Sequence, residues 1–319
     1  MSHILRGMFS SRPSSRLELR ERLAKLLTLV GSTPISCYRL GAVELCVKKE
    51  YGNPTGSHKD RIAVYMLKGA IEEALIAPGD CVAEISSGNT ATSVAWAASL
   101  LGLQAVVFVE KRASRIKKDF IRSFGAEIVE IGDEGLTREW AVEEAEKRGC
   151  LLLDQMSNEY NMLAHYETTG PEILRQLGAE IDAFVMGVGT GGTVSGVGKR
   201  LKEELGHTMV VAVTPRGSKL SGGEGGDEIE GLTSYYLPPL VRRHLDVIDR
   251  IVEVSQADAL RGIAGLLRAT GTAAGPSTGA AYAAVARFVE DDILGRGERV
   301  VIVAADALYR YPEVMAGLR

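Results

Sequence analysis

The stretch Gly187-Val188-Gly189-Thr190-Gly191-Gly192-Thr193 follows an apolar segment, 183–186, and precedes a segment with helical spacing, 194–205. The order strand, glycine-rich loop, helix is typical of a phosphate site. Glycines let the backbone approach an anion, and the first N–H groups of the helix then point at it. The alternative is a tight turn in which the glycines only relieve crowding. Four glycines and two threonines within seven residues favour the phosphate interpretation.

The same residues also match the Gly-x-Gly-x-x-Gly pattern of dinucleotide sites, at positions 187, 189 and 192. Such a site needs an acidic residue at the end of the next strand to hold a ribose. The next apolar segment, 209–213, is followed by Thr214-Pro215-Arg216 instead, and the pattern lies in the middle of the chain. We therefore rank a dinucleotide site well below a phosphate site.

On either side of this stretch, continuous apolar runs alternate with segments of helical spacing along most of the chain. Such runs are typical of parallel strands that helices cover on both faces. The alternation therefore predicts an α/β fold built on open, mainly parallel sheets. The predicted strands are 82–85, 105–109, 183–186, 209–213 and 300–304, and the predicted helices include 57–74, 90–101, 194–205, 255–269 and 280–289. The helices at 57 and 255 each open with a Ser-x-x-Asp capping box.

The length of 319 residues suggests about two domains. A charged stretch, 112–148, is predicted to be helical, and the chain returns to apolar residues at 151–153. We therefore expect a smaller N-terminal domain, 1–150, and a larger C-terminal domain, 151–319. Residues 1–40 are a segment that can pack on the larger domain.

Composition excludes several classes of partner. The 37 basic and 41 acidic side chains give a net charge of −4, which argues against nucleic-acid binding. No apolar run reaches the ~20 residues of a membrane span. Four distant cysteines without a Cys-x-x-Cys pair predict buried, inert thiols, and five scattered histidines predict no metal site. We expect a cytoplasmic protein.

A second glycine-containing cluster, Asn53-Pro54-Thr55-Gly56-Ser57-His58-Lys59-Asp60-Arg61, places a lysine in the first turn of a predicted helix. The helix dipole disfavours a cation there and favours the neutral amine that a Schiff base requires. The alternative is an exposed lysine on a charged surface.

Two further clusters precede predicted helices. Ser86-Ser87-Gly88-Asn89-Thr90 combines three hydroxyls, an amide and helix N–H groups, which suits a carboxylate ligand. An ordinary helix cap, which needs only one hydroxyl, is the alternative. Gly275-Pro276-Ser277-Thr278-Gly279 would by itself be interpreted as a cap.

In this order, the four clusters resemble the fold-type II pyridoxal-phosphate enzymes, most nearly the cysteine synthase (O-acetylserine sulfhydrylase) and cystathionine β-synthase family. The resemblance runs from Gly31-Ser32-Thr33-Pro34 to about Tyr311 and includes Thr168-Thr169-Gly170-Pro171-Glu172-Ile173 and 187–202. It implies two α/β domains of the tryptophan synthase β type, with the cofactor in the cleft between them, and a homodimer.

Residue by residue, the resemblance implies that Lys59 holds pyridoxal 5′-phosphate as an internal aldimine and later acts as the catalytic base. His58 would pack near the cofactor without moving protons. The remaining cofactor contacts would be Asn89, Gly189, Thr190, Gly191, Gly192, Thr193 and Ser277, and the substrate carboxylate would be bound by Ser86, Ser87, Thr90 and Gln155. No metal is implied.

The implied reaction is a β-replacement on an activated serine, O-acetylserine or O-phosphoserine. Abstraction of the α-proton would lead to an aminoacrylate. Addition of sulfide would then give L-cysteine, and addition of a thiol would give a thioether of cysteine. The alternatives are a β-eliminating serine or threonine dehydratase, a threonine synthase-like lyase, and a non-catalytic cofactor-binding relative. His58 and the stretch 231–236 depart from the family pattern, so the leaving group stays open between acetate, phosphate and hydroxyl.

Overall fold

The computed structural model describes residues 14–132 and 137–318. Across these ranges the chain alternates between strands and helices, and the ten strands belong to two sheets, which confirms the predicted α/β fold. Among the same residues, no helix has both the length and the apolar character to cross a membrane. The strands are β1 (Ile35–Leu40), β2 (Val43–Lys49), β3 (Cys81–Ile85), β4 (Gln104–Glu110), β5 (Glu127–Ile131), β6 (Cys150–Leu152), β7 (Ala183–Gly187), β8 (Met209–Pro215), β9 (Arg250–Val254) and β10 (Arg299–Ala304). The α-helices are α1 (Arg16–Leu27), α2 (Lys59–Glu72), α3 (Asn89–Leu101), α4 (Arg115–Ser123), α5 (Arg138–Lys147), α6 (Glu159–Ala164), α7 (Gly170–Leu177), α8 (Gly192–Leu205), α9 (Pro239–Arg243), α10 (Gln256–Thr270), α11 (Pro276–Glu290) and α12 (Pro312–Gly317).

The described chain divides into two compact units. The change of unit after Asn161 comes later than the sequence-based boundary near 150, because β6 pairs with β3 in the first unit. Gly31–Gly52 belong to the second unit because β2 pairs with β10. Unit 1 consists of 14–30, Asn53–Thr55 and Lys59–Asn161, and unit 2 of Gly31–Gly52, Gly56–His58 and 162–318.

The sheet of unit 2 has the order β1-β2-β10-β7-β8-β9 within the described residues. The β1–β2 pair is antiparallel, and the other pairs are parallel. In β7, Ala183 and Val185 pack into the core on one face, and Phe184 and Met186 pack into the core on the other. Burial on both faces explains why this strand is a continuous apolar run in the sequence.

The sheet of unit 1, as far as it is described, has the order β5-β4-β3-β6, and all of its pairs are parallel. Helix α5 covers one face through Ala141 and Ala145, and α3 covers the other through Ala91 and Ala95. The carboxyl ends of β3 and β6 are neighbours in this sheet, and the residues that follow them carry the predicted substrate contacts.

The prediction of helix throughout 112–148 is wrong at β5, which lies between α4 and α5. This strand pairs in parallel with β4 at the edge of the sheet. An edge strand is partly open to solvent, so charged residues such as Glu127 and Glu130 alternate with apolar ones. The charges therefore mask the strand in the sequence.

The two predicted capping boxes behave differently. Ser255 caps α10 as predicted, because its hydroxyl accepts the N–H of Asp258 at 3.0 Å. Helix α2 begins at Lys59, one residue later than a box at Ser57 predicts, and Ser57 forms a backbone bridge with Asp306. The box at Ser57 stays a prediction.

The prediction of four inert thiols is also wrong, because all four cysteines form disulfides. Cys37 pairs with Cys46 across β1 and β2, and Cys81 pairs with Cys150 across β3 and β6. In both cases the partners stand opposite each other in neighbouring strands. Adjacency in a sheet brings the two Cα atoms close enough for a disulfide, and spacing along the chain does not reveal it.

Candidate active site

In unit 2, β7 leads directly into the glycine-rich loop, and α8 begins inside that loop. Gly191 precedes the helix with φ of +90°, a conformation that favours glycine. A Cβ at Gly189 would lie 2.6 Å from the carbonyl oxygen of Gly231, so only glycine fits there. The first N–H groups of α8 have no acceptor within the helix, and Gly192–Ser195, its fully described first turn, contain no acidic side chain. The loop therefore fits a phosphate, which the positive end of the helix dipole stabilises.

Thr193, in the first turn of α8, contacts two histidines. Its Oγ1 lies 3.2 Å from Nδ1 of His58 and 3.1 Å from Nε2 of His165. Nδ1 of His165 in turn lies 2.9 Å from Oγ1 of Thr169. All four side chains are buried. From the sequence, His58 was expected only to pack near the cofactor, and His165 was not predicted, although it stands three residues before the family-like stretch that begins at Thr168.

Ser277 stands in the first turn of α11, directly after Pro276, and is buried in unit 2. A Cβ at Gly187 would lie 3.1 Å from the carbonyl oxygen of Ser277, and a Cβ at Gly231 would lie 3.5 Å from its Cβ. In unit 2, the start of α11 therefore lies beside the end of β7, where the glycine-rich loop begins. The predicted cofactor residues of this unit, Gly189–Thr193 and Ser277, lie on neighbouring segments.

In unit 1, Lys59 is the first residue of α2 and is partly exposed. The fully buried carboxylate of Asp60 accepts hydrogen bonds from the N–H and the hydroxyl of Thr55, at 2.6 and 2.5 Å. Ser93 of α3 donates to the same carboxylate at 2.6 Å. Asp60 thus connects the turn before Lys59 to the helix that begins at Asn89. The sequence analysis treated Asp60 only as a capping residue.

The loop between β3 and α3 holds the predicted carboxylate contacts together with Gln155. The hydroxyl of Thr90 donates to Oε1 of Gln155 at 2.7 Å. Nε2 of Gln155 donates to the carbonyl oxygen of Ile85 at 3.3 Å. Gln155 therefore spans both ends of the loop and fixes its shape.

The two serines of this loop have different partners. The hydroxyl of Ser86 accepts the N–H of Gly88 at 3.2 Å, within the loop. The hydroxyl of Ser87 accepts the N–H of Glu110 at 2.9 Å, which anchors the loop to β4. The structure therefore brings Ser86, Ser87, Asn89 and Thr90 together on one turn, and Ser87 also serves as its support.

Glu84 is a further buried acid beneath the same loop, and the sequence analysis missed it. Its carboxylate oxygens accept the N–H of Ile85 at 2.9 Å and the N–H of Gln155 at 3.3 Å. Burial, followed by the nearby carboxylate of Asp154, raises the pKa of Glu84 to about 8. The sequence does hold a signal for this residue, because Glu84 is an acidic residue within an apolar strand that leads into a predicted binding loop.

With this geometry established, comparison with known proteins identifies the family. A family model described as pyridoxal-phosphate dependent enzyme matches residues 26–306. The chain belongs to this family. It is therefore a pyridoxal-phosphate-dependent enzyme, and the predicted cofactor is confirmed.

Individual relatives of this family member agree with the predicted branch. The cysteine synthase of Staphylococcus aureus is 38% identical over 294 residues, which cover 89% of this chain and 93% of the relative. The chain is also similar to the crystal structure of O-ureido-L-serine synthase, with 30% sequence identity and a TM-score of 0.85. This match covers 92% of this chain and 95% of that one. An O-acetylserine-dependent cystathionine β-synthase from Helicobacter pylori is 29% identical with a TM-score of 0.81, over 90% and 96% of the two chains. These matches confirm the resemblance to the cysteine synthase and cystathionine β-synthase family and the fold-type II class.

Proposed function

We propose that this enzyme replaces the β-substituent of an activated serine, O-acetylserine or O-phosphoserine, with sulfide to give L-cysteine. The observation that carries the proposal is the loop 86–90, in which Thr90 is bonded to Gln155 at the start of α3. Hydroxyl and N–H groups at a helix start suit a carboxylate, which every amino-acid substrate presents. The similarity to cysteine synthase and to an O-acetylserine-dependent enzyme supports this substrate class.

The residues that would hold pyridoxal 5′-phosphate can be given for each unit by itself. In unit 1, Lys59 would attach the cofactor covalently through Nζ, and Asn89 would donate to its ring hydroxyl oxygen. In unit 2, the loop Gly189–Thr193 would bind the phosphate, and the hydroxyl of Ser277 would face the ring nitrogen. The bound cofactor supplies an electron sink for negative charge at the α-carbon of the substrate.

The protein would supply the proton transfer and the orientation. Nζ of Lys59 would take the α-proton as general base. Ser86, Ser87 and Thr90, together with Gln155, would hold the substrate carboxylate and so limit the orientations of the α-carbon. Because the bond to Glu110 already anchors Ser87, we expect the loop to be preorganised for this task.

The test is turnover by the reconstituted enzyme. Protein loaded with pyridoxal phosphate is given O-acetylserine, O-phosphoserine or L-serine, with and without sulfide, and cysteine and pyruvate are measured. We expect cysteine from at least one activated serine only when sulfide is present. Lys59→Ala should abolish turnover, whereas Lys68→Ala, on the same helix and ion-paired with Glu72, should retain it.

Other products would identify another function. Pyruvate as the main product in the presence of sulfide would contradict the proposal and indicate a β-eliminating dehydratase. A loaded protein that is inert toward every serine derivative would indicate a non-catalytic relative. A new amino acid other than cysteine, identified by mass spectrometry, would indicate a different nucleophile, as the O-ureido-L-serine synthase neighbour suggests.

Two further expectations, a homodimer from the resemblance and a cytoplasmic location from the composition, stay proposals. A homodimer is tested by light scattering of the purified protein. A cytoplasmic location is tested by the redox state of the cysteines, since disulfides are typical of oxidising compartments. Rapid alkylation that finds Cys81 and Cys150 reduced in cells would support it, and oxidised cysteines would count against it.

A further inference from the structure

A chain of four buried polar side chains runs through unit 2 and ends at the glycine-rich loop. Thr169 contacts Nδ1 of His165, Nε2 of His165 contacts Thr193, and Thr193 also contacts Nδ1 of His58, at 2.9, 3.1 and 3.2 Å. The four side chains are between 0% and 7% exposed. Polar groups at this depth are normally hydrogen-bonded. In each of these three hydrogen bonds, one side chain therefore donates the proton and the other accepts it.

The backbone holds both histidines in place. The N–H of His58 donates to the carbonyl oxygen of Ala305 at 2.8 Å, next to the bridge between Ser57 and Asp306. His165 opens a π-helical turn, His165–Thr169, that packs on α8. This close approach depends on Gly196 of α8, where a Cβ would lie 2.9 Å from the Cβ of His165. Irregular π turns of this kind are frequent at functional sites.

The hydrogen-bonding capacity of a hydroxyl decides which atom donates. Thr193 has one hydroxyl proton and two lone pairs. If either ring nitrogen accepted that proton, a phosphate would face an oxygen lone pair and be repelled. Thr193 can donate to a phosphate only when Nδ1 of His58 and Nε2 of His165 both donate to it.

We propose that His58 and His165 are positioning residues that donate to Oγ1 of Thr193 and thereby direct its proton toward the cofactor phosphate. The hydroxyl of Thr169 completes the chain, because it can donate to the remaining nitrogen of a neutral His165. The proposal rests on the assignment of Gly189–Thr193 as the phosphate loop. It gives His58 a role in cofactor binding that packing alone does not supply.

The test measures the affinity of the apoprotein for pyridoxal 5′-phosphate, which does not depend on turnover. Thr193→Val should weaken binding about 10- to 100-fold, since a hydrogen bond to a charged group is lost. His58→Leu should weaken it about 3- to 10-fold, because Thr193 is then free to turn its proton elsewhere. His58→Asn keeps an N–H at the place of Nδ1 and should bind nearly as tightly as the wild type.

Three comparisons separate the proposed positioning from a general structural effect. In the Thr193→Val background, His58→Leu should cause no further loss, because both act through the same hydroxyl. Binding of pyridoxal, which lacks the phosphate, should not change in His58→Leu. His207→Leu, which removes an exposed histidine bonded to the carbonyl oxygen of Leu205, is the matched control and should bind as the wild type does.

Several results would overturn the proposal. They are equal losses in His58→Leu and His58→Asn, additive losses in the double variant, and a loss of pyridoxal affinity equal to that for the phosphate ester. Nitrogen-15 NMR of the loaded wild type should show protonated Nδ1 on His58 and protonated Nε2 on His165, and the opposite tautomers would also overturn it. Cofactor binding without cysteine formation would refute the proposed function and leave this test intact.

Discussion

Among single residues, the buried carboxyl of Glu84 has the clearest consequence for stability. Its pKa in the folded protein is raised from 4.5 to about 8, first by burial and then by Asp154. The folded state therefore binds this proton more tightly than the unfolded chain does. The resulting stabilisation is complete below pH 4.5 and is lost as the pH rises to about 8.

Replacing Glu84 by glutamine tests this pH dependence, because glutamine has nearly the same size and does not ionise. Its single amide oxygen can accept only one of the two backbone N–H groups, and this loss is the same at every pH. Between about pH 5 and about pH 8, we expect the free energy of unfolding of the wild type to fall relative to Glu84→Gln. The expected slope is about 1.4 kcal/mol per pH unit at most. Urea unfolding of the apoprotein at several pH values measures it. Parallel pH profiles for the two proteins would contradict the prediction.

The sequence reveals those site residues whose chemistry is contiguous, such as the glycine-rich loop and the loop 86–90. It does not reveal residues whose partners are distant along the chain. Asp60 bonds to Ser93, 33 residues away, and Glu84 bonds to the N–H of Gln155, 71 residues away. Only the fold brings such pairs together, so the supporting residues of the site were missed.

Among the elements of the described chain, five of the six interior strands of the two sheets were predicted, and β2, which carries Glu44, Lys48 and Lys49, was not. Strands β7 and β10 appear as apolar runs because helices cover both of their faces. Strands β1 and β5 were not predicted, because partly exposed edge strands mix charged and apolar residues. The disulfides were missed for a related reason, since each depends on which strands are neighbours.

The two disulfides should differ in how much they stabilise the fold. Cys81–Cys150 links positions 69 residues apart, and Cys37–Cys46 links positions nine apart. If the effect is mainly on the entropy of the unfolded chain, the longer loop contributes roughly 4 kcal/mol and the shorter one roughly 3 kcal/mol.

The test compares two double variants, Cys81→Ala/Cys150→Ala and Cys37→Ala/Cys46→Ala, by urea unfolding of oxidised protein. We expect the first pair to lower the free energy of unfolding more than the second. Peptide mapping of the wild type checks the pairing. A larger loss from the pair at 37 and 46 would contradict the entropic argument.

For the whole molecule, the proposed cofactor and substrate contacts fall in separate stretches of the chain. Cofactor binding should therefore slow hydrogen exchange in two separate stretches, around 86–92 of unit 1 and around 189–195 of unit 2, because bound ligand suppresses local opening. The measurement is hydrogen exchange by mass spectrometry with and without pyridoxal phosphate. Protection limited to one of the two stretches would contradict the residue assignment.

The place of β10 in the sheet of unit 2 has a consequence for synthesis on the ribosome. This strand lies between β2 and β7, and Arg299 contacts Glu44, 255 residues earlier in the chain. At ribosomal rates of ~5–20 residues per second, about 13–50 s pass between the synthesis of β2 and the synthesis of β10. Throughout that time one edge of the hairpin β1–β2 has no strand beside it, and an uncovered edge invites pairing with other chains. A nascent chain that stops before Arg299 lacks an interior strand of its six-stranded sheet, so this sheet is completed only after residues 299–304 have been synthesised.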